Sequence, residues 1–176
     1  MQSAVSKAGF WRIAVPAIVA IVALGSLSGY LSNSGYSNAW FAALDKPAFM
    51  PPGWMFGLVW TTLYTLMGVA LASILTAGRS PERTTALGLF FAQLLANFAW
   101  SPIFFGARMV EVGLLTILVM FVLAVTAAWR FGRIRALAGW LLLPYLAWLC
   151  LAAALNFEIG RLNPGADSRP LGLFGG

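Results

Sequence analysis

Five apolar runs, each close to the length that crosses a bilayer, constrain this chain more than any other feature. They cover residues 13–31, 54–77, 84–101, 110–129 and 136–160. A spanning helix needs about 20 mostly apolar residues, at ~1.5 Å of rise each, to cross about 30 Å of hydrocarbon. Five such runs with their connectors use up the chain, and no room is left for a soluble catalytic domain. Composition agrees: 61% of residues are hydrophobic and 9% charged, whereas a soluble chain covers its surface with about 25% charged residues. The expected fold is all-α, a single-domain integral membrane bundle of five transmembrane helices.

The formal charge of +6 would suggest nucleic acid in a polar protein. Here the Lys and Arg residues sit at the ends of apolar runs, so anionic headgroups are the expected partner and nucleic acid is not. Lys7, Arg12, Arg79, Arg83, Arg130, Arg133 and Arg135 fall on one side of five spans; Lys46, Arg108, Arg161 and Arg169 fall on the other. That bias predicts a cytoplasmic amino terminus. The opening resembles a signal peptide, but its apolar core exceeds the roughly 7–15 residues of one and no A-x-A site follows, so it is read as the first span. Cys150 stands alone and histidine is absent. An intrachain disulfide, a His-bearing zinc site, a His-ligated haem and a Ser-His-Asp triad are thereby excluded, and neither metal nor cofactor is expected.

The connectors carry their own signals. Residues 32–53 form the longest polar stretch, with Asp45, Lys46 and the pair Pro51-Pro52, and make a candidate lid, because two prolines fix φ without disordering the chain. Pro102 predicts a break after Ser101, and Pro144 a kink in the fifth span unless neighbouring helices satisfy the freed carbonyl. The tail, 161–176, is rich in Gly, Pro and Ser and is expected to be loose.

Polar and small residues inside the runs are where function is sought. Gly88, Ala92 and Ala96 recur every four residues on the third run, which suits close helix approach, either within the bundle or as a homodimer seam. Gln93, Asn97 and Trp100 share one face of the same helix. Tyr145, Trp148, Ala152 and Asn156 share a face of the fifth, and the second offers Trp54, Trp60 and Tyr64. Trp40, Trp129 and Trp140 lie near predicted ends and suit interfacial belts. The mid-span set reads either as core filler or as the lining of an apolar cavity with a few orienting hydrogen-bond groups.

Three ordered blocks then carry a resemblance. The first is Lys46-Pro47-Ala48-Phe49-Met50-Pro51-Pro52-Gly53-Trp54-Met55-Phe56, continuing through Trp60-Thr61-Thr62-Leu63-Tyr64 and Met67-Gly68. The second is Gln93-Leu94 with Asn97, Trp100 and Pro102-Ile103-Phe104-Phe105-Gly106-Ala107-Arg108. The third is Pro144-Tyr145-Leu146-Ala147-Trp148 with Leu155-Asn156-Phe157. Together, over about residues 12–163, they resemble the TspO/MBR family of tryptophan-rich sensory and translocator proteins, also called the peripheral benzodiazepine receptor family. The resemblance implies a five-helix membrane protein that binds porphyrin-type tetrapyrroles, and in some members sterols, in a pocket beneath the long first loop. It implies a role in their transport or in tetrapyrrole-linked stress sensing, with light-dependent porphyrin breakdown as the enzymatic alternative. The implied ligand-binding positions are Trp54, Trp60, Asn97, Trp100, Tyr145, Trp148 and Ala152, and the lid positions Phe49, Pro51 and Pro52. Phe49 stands where many members have Trp, which keeps stacking and loses an indole donor. Residues 155–161 resemble the proposed cholesterol motif, with Phe157 in place of its tyrosine. Without a histidine for axial ligation, a metal-free porphyrin suits the chain better than haem. Glu158 and Arg161, three apart, are expected to form an interfacial ion pair.

Overall fold

A computed structural model describes residues 7–174. Among these residues seven α-helices form: α1 (Lys7–Leu31), α2 (Ala39–Ala43), α3 (Gly53–Leu75), α4 (Pro81–Ser101), α5 (Val110–Ile134), α6 (Ala136–Trp140) and α7 (Leu143–Leu162). No strand occurs among the described residues. Five apolar helical stretches, Lys7–Leu31, Gly53–Leu75, Pro81–Gly106, Val110–Ile134 and Ala136–Leu162, are long enough to cross a membrane.

The first and fourth spans run further than hydropathy alone predicts, to Lys7 and to Ile134. Long cationic side chains allow this, because their stems cover apolar surface while their heads reach water. Arg130 and Arg133 lie over the Trp129 ring at 5.0 and 5.5 Å, and so tie an aromatic belt to the basic edge. Between α3 and α4 the turn is closed at both ends. Ser80 caps Arg83 N–H at 3.2 Å with Pro81 in the first turn, and the Arg83 guanidinium donates to the Leu75 carbonyl at the end of α3.

The predicted break at Pro102 is instead a widening. Residues Pro102–Gly106 continue α4 as a π-helical turn, with Ala107 N–H donating to the Pro102 carbonyl. Proline leaves the carbonyl four residues back without its donor, here that of Phe98. The Ser28 hydroxyl of α1 donates to this same Phe98 carbonyl, so a neighbouring helix supplies the missing hydrogen and the span survives. Pro144 acts differently: α6 ends at Trp140, four residues before it, and α7 restarts at Leu143 with Pro144 in its first turn. The fifth span is therefore two helices in series, not one kinked helix.

In the bundle, α1 packs on α3 and α4, while α5 packs on α4, α6 and α7. Gly68 makes the α1–α3 crossing close: a Cβ there would lie 2.8 Å from Ile18 Cα. The core centres on Met67, Phe90, Ile117, Met120, Phe131, Tyr145 and Leu149. A second, smaller cluster at the loop end joins Phe41, Phe104, Phe105, Val110 and Ile159. Outward-facing Val19, Leu58, Leu95, Val122 and Leu137 are exposed, as lipid-facing side chains should be.

Candidate functional site

Under the first loop, between the helices, lies a chamber of about 510 Å³. Its walls come from α1 (Gly25, Ser26, Gly29), α3 (Phe56, Gly57, Trp60, Thr61, Tyr64), the end of α4 with its π turn (Asn97, Trp100, Phe104, Phe105), α5 (Ile117, Met120) and α7 (Trp148, Ala152, Leu155, Asn156, Ile159). Residues 34–36, Phe41 and Met50 of the loop form its roof. The π turn at Pro102 helps to bring both Phe104 and Phe105 to the wall. Widened turns of this kind are frequent at functional sites.

The aromatic rings are arranged as faces and edges. Trp60 is tilted over Tyr64 at 5.0 Å and meets Trp148 edge-on at 6.2 Å, Phe56 meets Trp148 edge-on at 5.7 Å, and Trp100 stacks on Phe104 at 5.0 Å. Behind them runs a buried relay. Tyr64 hydroxyl donates to Asn97 Oδ1 at 2.8 Å, and Asn97 Nδ2 donates to the Tyr145 hydroxyl at 3.1 Å. The Tyr145 proton is directed at Met120 Sδ, 3.9 Å away. The two tyrosines thereby fix which way the Asn97 amide points.

Other polar atoms have no such partners. Both side-chain atoms of Asn156 and the Trp100 Nε1 are buried without a hydrogen-bond partner. Both groups converge beside Gly113: a Cβ built there would lie 3.2 Å from Asn156 Nδ2 and 3.5 Å from Trp100 Nε1. Buried donors and acceptors left empty cost about 1–3 kcal/mol each, so a site of this kind is completed by water or by a polar group of a ligand. Gln93 is also buried with an unpartnered amide, but it lies outside the chamber lining.

Of the positions implied by resemblance, Trp60, Asn97, Trp100, Trp148 and Ala152 line the chamber. Tyr145 is buried behind the wall and touches it through Asn97, Met120 and the Trp60 ring. Trp54 is 69% exposed and stands outside the lining, as do Phe49, half exposed, and Pro51 and Pro52. The larger loop side chains that do face the chamber, Tyr36, Phe41 and Met50, follow no helical or strand periodicity. Asn156 shares the Tyr145–Trp148–Ala152 face, the signal by which it could have been included. At the roof, Lys46 Nζ donates to the Ala42 and Leu44 carbonyls at 3.1 and 2.7 Å and lies over the Tyr36 and Phe41 rings at 5.6 and 4.9 Å. Desolvation lowers its pKa below the ordinary lysine value, and the neighbouring Asp45 charge partly restores it. Glu158 and Arg161 form the expected ion pair at 2.8 Å. Gly88 and Ala92 face outward, and Ala96 is half-buried against the core. Among the described residues no cluster of three or more Cys, Asp or Glu could hold a metal ion.

Five spanning helices around an aromatic chamber with a few inward polar groups define a class: an integral membrane protein with a ligand-sized cavity between its helices. A profile of the TspO/MBR family matches residues 17–162, and the chain belongs to that family. It is 40% identical over 145 residues to "Translocator protein" of Sus scrofa, covering 80% of this chain and 86% of that protein. It is 40% identical over 126 residues to "Tryptophan-rich protein TspO" of Chlorobaculum tepidum, covering 71% and 80%. It is 39% identical over 126 residues to "Tryptophan-rich sensory protein" of Cereibacter sphaeroides, covering 72% and 78%.

Proposed function

We propose that this membrane protein binds porphyrin-type tetrapyrroles in the chamber and acts in their transport or in tetrapyrrole-linked stress sensing. One observation carries the reading: the rings of Trp60, Trp100 and Trp148 line the same chamber as the unpartnered Asn156 amide. A flat, apolar macrocycle with polar edge groups needs ring surfaces to pack against and a few hydrogen-bond partners. A volume of about 510 Å³ lies within the ordinary range for sites of small ligands. The names of the relatives, translocator and sensory protein, agree with movement or detection of a ligand. Sterol-like lipids suit the same apolar walls but use fewer of the polar atoms.

Titration with metal-free protoporphyrin in detergent or nanodiscs tests the reading through tryptophan fluorescence. Quenching that saturates, and that weakens about tenfold in Asn156→Leu, is expected from the loss of ~1.4 kcal/mol. Absence of quenching in the unaltered chain would point to a purely structural bundle.

The Trp60–Trp148 contact at 6.2 Å favours examining a second reading, light-dependent porphyrin breakdown with these indoles as electron donors. Illumination with bound protoporphyrin separates the two. Bleaching that disappears in Trp60→Phe or Trp148→Phe argues for chemistry, and a stable spectrum sinks it. We also propose a homodimer in the membrane, seated on the outward small residues of α4, the first of which is Gly88.

A further inference from the structure

We propose that the carboxyl-terminal segment 163–174 is a strap that latches onto Glu111 and holds the loop end of the chamber shut; the role rests on the chamber being the ligand site. A loose tail is what composition predicts, yet the segment is held at several points. Glu111, in the first turn of α5, is 3% exposed. Its carboxylate accepts hydrogen bonds from the backbone N–H groups of Leu171, Leu173 and Phe174, the last two at 3.1 and 3.4 Å. Asp167 reciprocates by accepting from Glu111 N–H at 2.7 Å. Ser168 N–H donates to the Arg108 carbonyl at 3.0 Å and Ser168 Oγ to that of Ala107 at 2.6 Å. A buried carboxylate is costly without partners, and here backbone donors of the tail supply them, so the acid and the tail need one another in the closed arrangement.

The strap meets the elements around the chamber at two places. The Phe174 ring fills the space above Gly160, where a Cβ would lie 2.1 Å from it, and packs against the cluster of Phe41, Phe104, Phe105, Val110 and Ile159, of which all but Val110 line the chamber. At the other end Asn163 accepts from Asp45 N–H at 2.8 Å and donates to the Asp45 carbonyl at 2.9 Å, and so pins the first loop. Gly165 and Gly172 have φ of +87° and +84°, a conformation that suits glycine and gives the strap two turning points.

The test needs no porphyrin. In a Cys150→Ala background the chain carries no other thiol, so Met50→Cys, at the chamber roof, becomes the only target for a membrane-impermeant maleimide. The full chain in nanodiscs is compared with Glu111→Gln, which places an amide donor against the tail's N–H groups, and with Phe174→Ala, which alters no charge and preserves the test if the first variant misfolds. Labelling is expected to accelerate about tenfold, the consequence of ~1.4 kcal/mol of lost latch energy. A rate unchanged in both variants overturns the strap. Because the readout is the thiol, a chamber that fails to bind protoporphyrin would remove the proposed function without affecting this result.

Discussion

Asn97 connects the wall of the chamber to the core because its amide is used in both directions, accepting from Tyr64 and donating to Tyr145. In lipid, an interhelical hydrogen bond contributes on average only about 0.6 kcal/mol, since the unfolded helices also find partners. Leaving a buried hydroxyl unpartnered costs more, about 1–3 kcal/mol; without Asn97 the buried Tyr64 hydroxyl loses its acceptor, and Tyr145 loses its donor and keeps only Met120 Sδ. The second effect should therefore decide the outcome of Asn97→Leu. That variant is expected to unfold at lower temperature in detergent by an amount worth about 1–3 kcal/mol, and to lose more than Tyr145→Phe, which removes only the hydroxyl at the far end of the relay. Equal melting temperatures for Asn97→Leu and the unaltered chain would show that the relay does not hold α3, α4 and α7 together.

Between elements, closeness of approach matters more than hydrogen bonding, and Gly68 shows it. Its missing side chain lets α1 cross α3 with Ile18 backbone and side-chain atoms where a Cβ would stand, and backbone cannot swing aside as a flexible side-chain end can. Gly68→Ala is expected to cost about 1–3 kcal/mol by overpacking, read as a loss of thermal stability, whereas the same change at Gly57, which has open space around it, should cost little. Equal stability of the two variants would refute the tight crossing. This scale also divides what the sequence makes legible from what it does not. The five spans could be read because bilayer thickness sets their length; helical spacing groups Asn97 with Trp100 and Trp148 with Ala152 on shared faces, and the resemblance to the family singles these out with Trp60 as ligand positions. The outcome at Pro102 could not, since it depends on Ser28, seventy residues away in the chain, reaching the Phe98 carbonyl. The loop 32–53 was legible as a lid, but that Tyr36, Phe41 and Met50 are its chamber-facing residues was not, and the docked tail escaped for the same reason. Glu111 and its donors are at least sixty residues apart, and no local pattern announces such pairing.

Taken whole, the molecule has two apolar surfaces, an outer one for lipid and an inner one around the chamber, and α4 contributes to both. Asn97 and Trp100 face inward from it, while Gly88, Ala92, Leu95 and Ala99 are exposed on its outer side. The half-buried Ala96 belongs to the bundle, so the outward stripe follows a 4-3-4 spacing and not the strict four-residue repeat that the sequence suggests. Lipid tails are as apolar as the stripe, and burial of apolar area alone gives two such helices no reason to associate; small residues do, because they let backbones approach and gain van der Waals contact. Gly88 has open space where a Cβ would stand, and Leu95, 69% exposed, offers a knob for a facing helix. Ala92→Phe places a ring in the middle of that seam without touching the chamber. The expected result, by native mass spectrometry from nanodiscs, is a shift from dimer to monomer with porphyrin quenching intact. A dimer that persists in Ala92→Phe would move the interface to another helix, and quenching lost together with the dimer would mean that two copies are needed to hold the chamber in its binding shape.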